Sequence, residues 1–204
     1  MKKIILLIVV LLAAFSFYWF KLRSKSSGPQ EPKPAPMLVK KHSDSFNKTI
    51  NNVVANYLEL KDAFVEADTA AVKSKVSAFL TSLNQVDTIE LKKDTSLVFE
   101  TVMATIGDIK SNAESLQKQT DITEMRRDFS SLTDVMYPTF FIAIKYEGPK
   151  LYLDNCPMAF SDSIPANWIS SSAEIINPYL GKKHPKYHAG MLGCGEIKDS
   201  IEAK

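Results

Sequence analysis

The feature that most constrains the fold of this chain is a series of four helical patterns between residues 43 and 144. In the first pattern, apolar residues recur at spacings of three and four, which places them on one face of a helix. These residues are Phe46, Ile50, Val53, Tyr57, Leu60 and Phe64. Three more segments with the same periodicity follow, joined by short connections that contain almost no glycine.

Polar residues at the starts of the later segments are typical helix N-caps. Asp68 or Thr69 can begin the second helix, residues 94–95 the third, and Asp121 the fourth. Four amphipathic helices with short connections bury their apolar faces best when they pack antiparallel to one another. The sequence therefore predicts a mainly α protein, built on an antiparallel four-helix bundle over residues 43–144.

The helical pattern stops near Gly148 and Pro149, and the rest of the chain has the composition of a small separate lobe. Leu151 and Leu153 indicate an extended segment, while the tail is rich in Pro, Gly, Asn and Ser and has no long period. We expect residues 145–204 to form a loop-rich lobe that contains a short strand. This lobe is expected to pack on the bundle as part of the same domain.

The N-terminus carries an apolar run, because residues 4–20 contain no charged side chain. A helix of that length spans roughly 26 Å, which is near the lower limit for crossing a bilayer. An aromatic cluster over residues 17–20 occupies the place where a cleavage site would lie. We therefore expect residues 1–23 to be an uncleaved transmembrane anchor, with a cleaved signal as the alternative. Residues 24–42 are expected to form a Pro/Ser-rich, extended linker.

The net charge of +2 is unevenly distributed, because five basic residues and no acid fall within residues 1–25. The rest of the chain carries a net charge of −3 and has no basic stripe. This distribution argues against nucleic acid as a partner. The sequence also has no nucleophile elbow, phosphate-binding glycine loop or HExxH pattern, so we do not expect an enzyme.

Each of the two cysteines has a methionine close by, in "CPM" and in "MLGC". The first pair, at i and i+2, points to one side of an extended strand, and the second pair, at i and i+3, converges on a turn. If the two segments meet, four sulfur atoms face one point, and such soft ligands select Cu(I) among biological metals. The candidate metal ligands are Cys156, Met158, Met191 and Cys194, with His184 and His188 as candidate additional ligands.

The same residues have other interpretations. Two cysteines in an exported chain commonly form one disulfide, and a Cys156–Cys194 bond would stabilise the fold by about 4 kcal/mol. Methionines beside cysteines are often core filler, and His184 and His188 can be ordinary surface residues. A Cys156 nucleophile with one of these histidines as its base is conceivable, but nothing in the sequence orients such a pair.

Several motifs of the lobe occur together: "CPMAF", "ANWIS", "INPYLG" and "MLGCGEI". With the helical segments "YLELKDAFVEAD" and "RRDFSSL", they resemble the domain of unknown function 3347 (DUF3347) family of Bacteroidetes. The resemblance covers about residues 45–202. Proteins of that family are small and exported, or are fused to the C-terminal end of periplasmic adaptor subunits of copper/silver-type efflux systems.

The resemblance implies a membrane-anchored periplasmic module that binds Cu(I) or Ag(I) and assists metal homeostasis or efflux. Its partners would be the inner membrane, through residues 4–20, and a metal-efflux or other membrane protein complex. If the signal is cleaved, the protein would instead be secreted to the periplasm. The competing interpretation is a non-enzymatic interaction module of a membrane complex, stabilised by a Cys156–Cys194 disulfide.

Trp168, Asn177, Pro178 and Tyr179, which belong to the same motifs, have a simpler structural interpretation. A large indole is well suited to packing the lobe onto the bundle, and an Asn-Pro pair is typical of a turn. We expect these residues to shape the lobe.

Overall fold

The computed structural model describes residues 41–161 and 163–202. Its long helices are α1 (Asp44–Val65), α2 (Thr69–Asn84), α3 (Ser96–Lys118) and α4 (Ile122–Val135). A one-turn helix, Thr88–Leu91, lies between α2 and α3. After α4 the chain continues through a π-helical turn, Met136–Phe140, and a last helical turn, Phe141–Ala143. The prediction of a mainly helical protein is confirmed.

The long helices begin at side-chain caps. The side chains of Ser43, Asp68, Thr95 and Asp121 each accept a hydrogen bond from a backbone N–H two or three residues further on. Such bonds satisfy N–H groups that have no partner within the helix. Of the two candidates for α2, Asp68 is the cap, and the predicted starts of the third and fourth helices are confirmed.

The C-terminal lobe is a three-stranded antiparallel sheet, with strands β1 (Leu151–Ser161), β2 (Ile164–Ser170) and β3 (Glu196–Ile201) in the order β2-β1-β3. In β1, Asp154 lies opposite Trp168 of β2 and opposite Ile197 of β3. The pairing of β1 with β3 shifts between Leu153 and Asp154, so Lys198 is an extra residue on the edge strand. The segment between β2 and β3 carries the turn Ala189–Met191.

The predicted fold class is therefore wrong in its account of this lobe, which is a sheet and not a loop-rich region with one short strand. The alternation of β1 is interrupted by Asp154 and Pro157. Four of the six residues of β3 are exposed, and Ile197 is the one apolar residue among those four. The pairing of β3 with β1 joins residues some forty positions apart, which local patterns do not reveal.

The predicted fold class also began with a transmembrane helix. Residues 4–20, and most of the predicted linker over residues 24–42, lie outside the described residues. Within residues 41–161 and 163–202, no helix is long and apolar enough to cross a lipid bilayer. We correct the fold class to a helical bundle with a three-stranded antiparallel sheet.

The bundle and the sheet share one core. The Tyr57 hydroxyl of α1 accepts a hydrogen bond from the Ile169 N–H of β2 (3.1 Å) and lies 2.7 Å from the Thr133 hydroxyl of α4. The ring of Tyr179, from the segment after β2, packs against Phe129 of α4 and against Trp168, with centroid distances of 5.9 and 6.1 Å. These contacts show that Tyr179 packs the lobe onto the bundle and that Trp168 packs against Tyr179 within the lobe.

The C-terminal end of α1 is held by residues distant in sequence. The buried Arg126 donates from Nε to the Pro178 carbonyl (3.0 Å) and from Nη2 to the Phe64 carbonyl (3.2 Å). The Lys182 N–H donates to the Val65 carbonyl (2.8 Å). Burial lowers the pKa of Arg126 to about 10, so the guanidinium remains charged at neutral pH. This positive charge interacts favourably with the partial negative charge at the C-terminal end of α1.

The other end of α1 is fixed by a polar cluster around Glu90, on the one-turn helix. The backbone N–H of Ser43 (3.0 Å) and its hydroxyl both donate to Glu90 Oε2, and His42 Nδ1 lies 2.6 Å from Oε1. His42 Nε2 lies 2.7 Å from the Ile144 carbonyl at the end of the last helical turn. Burial alone would raise the pKa of Glu90, but the hydrogen bonds from Ser43 and His42 outweigh it and lower the pKa.

This cluster makes stability depend on pH in a defined direction. Because the pKa of Glu90 is lower in the folded protein than its ordinary value of 4.5, its contribution is fully present above that value and is lost as the pH falls further. Glu90→Gln is expected to lower the free energy of unfolding at pH 7 by about 1–3 kcal/mol. In Glu90→Gln, the urea midpoint should also fall less steeply with decreasing pH between pH 7 and pH 2.5 than it does in the unmodified protein. Glu59→Gln, which alters an exposed ion pair with Lys75, should leave the pH dependence of the urea midpoint unchanged.

Candidate functional site

The structure brings the two cysteines of the chain together. Cys156 lies on β1 with no exposed surface, and Cys194 is half-buried just before β3. Their Sγ atoms are 2.8 Å apart, and both are free thiols. The expectation that the two cysteine segments meet is therefore confirmed.

Asn177 holds the Cys194 segment in place. Its backbone N–H donates to the Leu192 carbonyl (2.8 Å), and its side-chain Nδ2 donates to the Cys194 carbonyl (2.7 Å). Its Oδ1 accepts from the backbone N–H groups of Tyr179 (2.8 Å) and Leu180 (3.0 Å), which forms the turn expected of the Asn-Pro pair. The wholly buried Asn177 thus closes the base of the loop that ends at Cys194.

Gly195 brings the chain close to the sheet immediately after Cys194. Its φ is +144°, and a Cβ at this position would lie 2.7 Å from Trp168 Cη2 and 2.8 Å from the Asn155 carbonyl oxygen. A side chain is excluded both by backbone conformation and by space. The glycine therefore lets Cys194 approach Cys156 across the sheet.

The thiol of Cys194 is protonated at neutral pH rather than activated. Burial, the hydrogen bond with Cys156 and the charge of its thiolate raise the pKa of Cys194 to about 11. A thiol with a raised pKa is a poor nucleophile at neutral pH, and reactive cysteines have lowered pKa values instead. The raised pKa argues against a nucleophilic use of Cys194.

The two candidate methionines lie on the segments that meet at the thiols. Met158 follows Cys156 by two residues on β1, and Met191 accepts a hydrogen bond at its carbonyl from the Cys194 N–H (3.0 Å). Both side chains are half-buried and pack against the core. Both methionines are therefore close to the cysteines along the chain, and their side chains contribute to the same core.

The candidate histidines do not join the cysteines. Among the described residues, no group of three or more His, Cys, Asp or Glu side chains could hold a metal ion. His184 Nδ1 instead accepts from the backbone N–H groups of Lys186 and Tyr187, each at 3.2 Å, and its ring stacks on Tyr187. Burial and the nearby positive charges of Arg126 and Lys186 lower the pKa of His184.

These contacts give His184 a structural role. In the neutral ring, Nδ1 uses its lone pair within the turn and Nε2 carries the proton, so neither nitrogen offers a free lone pair to a metal. His188 lies opposite His184 in an isolated β-bridge and is exposed. His184 therefore stabilises its own turn, and His188 lies on the surface of that turn.

Sequence reasoning missed Asp154, which lies two residues before Cys156 on β1. It is wholly buried, and neither its carboxylate oxygens nor Trp168 Nε1 opposite it has a hydrogen bond of normal geometry. Burial raises the pKa of Asp154 to about 6, against the opposing effects of Lys61 and the Trp168 indole. An acid inside an apolar strand was the available signal, in "LYLDNC".

Fold and site together define a helical-bundle protein whose small sheet brings two free thiols together, each with a methionine two or three residues away in sequence. Residues 53–144 match the family model described as a protein of unknown function (DUF3347), which confirms the family resemblance over the helical part of the chain. The match ends before β1, so the motifs around the two cysteines lie outside it. No curated protein and no solved structure matches the chain.

Proposed function

We propose that this protein is a soft-metal-binding module that takes up Cu(I) or Ag(I) between Cys156 and Cys194. The convergence of the two thiols, whose Sγ atoms lie 2.8 Å apart and would have to separate to admit the ion, is the observation that carries the proposal. Thiolate and thioether donors are the ligands that select Cu(I), and the segments that meet here supply both kinds. Met158 and Met191 are proposed as the additional donors.

The donor set fits a soft monovalent ion better than zinc. Structural zinc sites use four Cys or His ligands, and the described residues contain no such group. Thiols must lose their protons to bind a metal, so the raised pKa of Cys194 makes affinity fall as the pH falls. The family resemblance supports a periplasmic role beside a metal-efflux complex, in metal homeostasis or efflux.

A second function is favoured by the same distance. Two thiols in contact can be oxidised to a disulfide, which would close a loop of 38 residues in sequence separation and stabilise the lobe by about 4 kcal/mol. The protein would then be a non-enzymatic interaction module of a membrane complex. The two functions differ in whether the thiols are free in the cell.

The proposal is tested by a Cu(I) competition titration of the reduced full chain. We expect one-to-one binding that is abolished in Cys156→Ser/Cys194→Ser. In Met158→Leu/Met191→Leu, which spares both thiols, the affinity should fall by about tenfold or more. Met103→Leu, which changes a half-buried methionine of α3, is the matched control and should bind as the unmodified chain does.

Counting free thiols in protein isolated under alkylating conditions separates the two functions. Two free thiols together with Cu(I) binding support the metal module. Absence of binding by the reduced chain contradicts it. If, in addition, no free thiol is found, the disulfide-stabilised interaction module is the better account.

A further inference from the structure

Cys156 is the inaccessible member of the thiol pair, and it faces the segment that carries Cys194. Cys156 has no exposed surface, its strand is the central one of the sheet, and its Sγ atom faces that of Cys194. A ligand that reaches Cys156 must therefore either displace residues 189–194 or wait for the whole lobe to unfold. These two routes differ in their free-energy cost, because local opening can cost much less than global unfolding.

The backbone hydrogen bonds that the N–H groups of this segment donate are all of short range, to carbonyls three residues earlier. Gly190 N–H donates to the Tyr187 carbonyl (2.9 Å), Leu192 N–H to the Ala189 carbonyl (3.1 Å), and the next such bond joins Cys194 to Met191. Two hydrogen bonds from Asn177, described above, tie it to the rest of the lobe. Such a segment can move as a unit by breaking few bonds to its surroundings.

The glycines around Cys194 are of two kinds. Gly195 is required by its positive φ and by the Trp168 ring. A Cβ at Gly190 or Gly193 would meet nothing within 4 Å, and neither has a positive φ. Alanine would fit at both positions, so the property that glycine adds there is backbone freedom.

We infer that residues 189–193 form a gate, pivoting at Gly190 and Gly193, that opens locally to admit a ligand to the thiols. Met191 lies on the gate and is half-buried, so the gate presents a thioether to an incoming soft metal. The identity of that ligand rests on the proposed function. The opening itself does not, and it can be measured without a metal.

The test is the rate at which N-ethylmaleimide alkylates Cys156 in the full chain, followed by mass spectrometry. A Cys194→Ser background leaves Cys156 as the sole thiol, since the chain has two cysteines. Gly190→Ala/Gly193→Ala removes backbone freedom at both pivots. Gly107→Ala is the matched control, because a Cβ at this glycine of α3 also meets nothing within 4 Å.

We expect alkylation of Cys156 to slow by about fivefold or more in the double alanine variant, from the loss of backbone freedom at two sites. Gly107→Ala should raise the urea midpoint and leave the alkylation rate unchanged. Equal slowing by Gly107→Ala would mean that access requires global unfolding, which overturns the gate. An unchanged rate in the double variant overturns it as well.

The same glycine variants, made in the chain that retains both cysteines, test whether the gate controls the entry of Cu(I). If the gate admits Cu(I), Gly190→Ala/Gly193→Ala should slow capture from a competing chelator by a similar factor while changing the equilibrium affinity less than twofold. Failure of the unmodified chain to bind Cu(I) would count against the proposed function alone, because the alkylation rates would still decide whether the gate exists.

Discussion

Arg126→Met is expected to lower the free energy of unfolding by about 3 kcal/mol or more, which is a large fraction of the stability of an ordinary domain. The substitution keeps an unbranched apolar stem but removes two charge-assisted hydrogen bonds, to the carbonyls of Phe64 and Pro178. It also removes the positive charge at the C-terminal end of α1. Urea unfolding followed by circular dichroism at pH 7 measures the loss.

The neighbouring arginine provides the control. Arg127 is half exposed, its ion pair with Glu124 is 3.5 Å long, and its guanidinium lies 5.0 Å from the centre of the Phe160 ring. Such surface contacts contribute about 1 kcal/mol or less, so Arg127→Met should be mild. Equal losses for the two variants would contradict the role assigned to Arg126.

Phe129→Ala is expected to cost about 3–5 kcal/mol, the usual range for removing a fully buried ring. Its ring packs on Tyr57 and Phe64 of α1, with centroid distances of 5.2 and 4.8 Å, and on Tyr179 of the lobe. Because these contacts reach both parts of the molecule, bundle and lobe should lose stability together. The helical signal at 222 nm and the Trp168 indole N–H resonance should disappear at the same, lowered urea concentration.

If the two signals disappear at different urea concentrations, the lobe unfolds independently of the bundle. That result would contradict the shared core. Phe99→Ala serves as the comparison, because Phe99 on α3 is partly buried and lies at the margin of the core. Phe99→Ala should lower the free energy of unfolding by about 1 kcal/mol.

The helices were predictable because their signals are local. The spacing of Phe46, Ile50 and Val53 sets the buried face of α1, and the caps at Asp68 and Asp121 lie within three residues of the N–H groups they satisfy. The sheet was not predictable in the same way, since β1 pairs with β3 across the whole loop between them. Strand β3 is largely exposed, so it has little apolar pattern to read.

The features of the site also differ in whether local sequence patterns can predict them. The sequence posed the meeting of Cys156 and Cys194 as the condition for both the metal and the disulfide interpretations, and the structure fulfils that condition. The exclusion of His184 was not predictable, because it depends on two backbone N–H groups that occupy Nδ1. The unpaired Asp154 carboxylate depends on burial by segments distant in sequence, which no spacing rule contains.

The way the sheet ends has a consequence for the behaviour of the protein at high concentration. At β2, the Ile169 N–H that points away from β1 is already bonded to the Tyr57 hydroxyl, and α1 and α4 lie alongside the strand. At β3, the extra residue Lys198 interrupts the regular ladder and places a charge on the exposed edge. Covered strands, bulges and edge lysines all oppose strand addition. In the described part of the chain, both edges of the sheet therefore oppose the addition of a strand from a second folded copy.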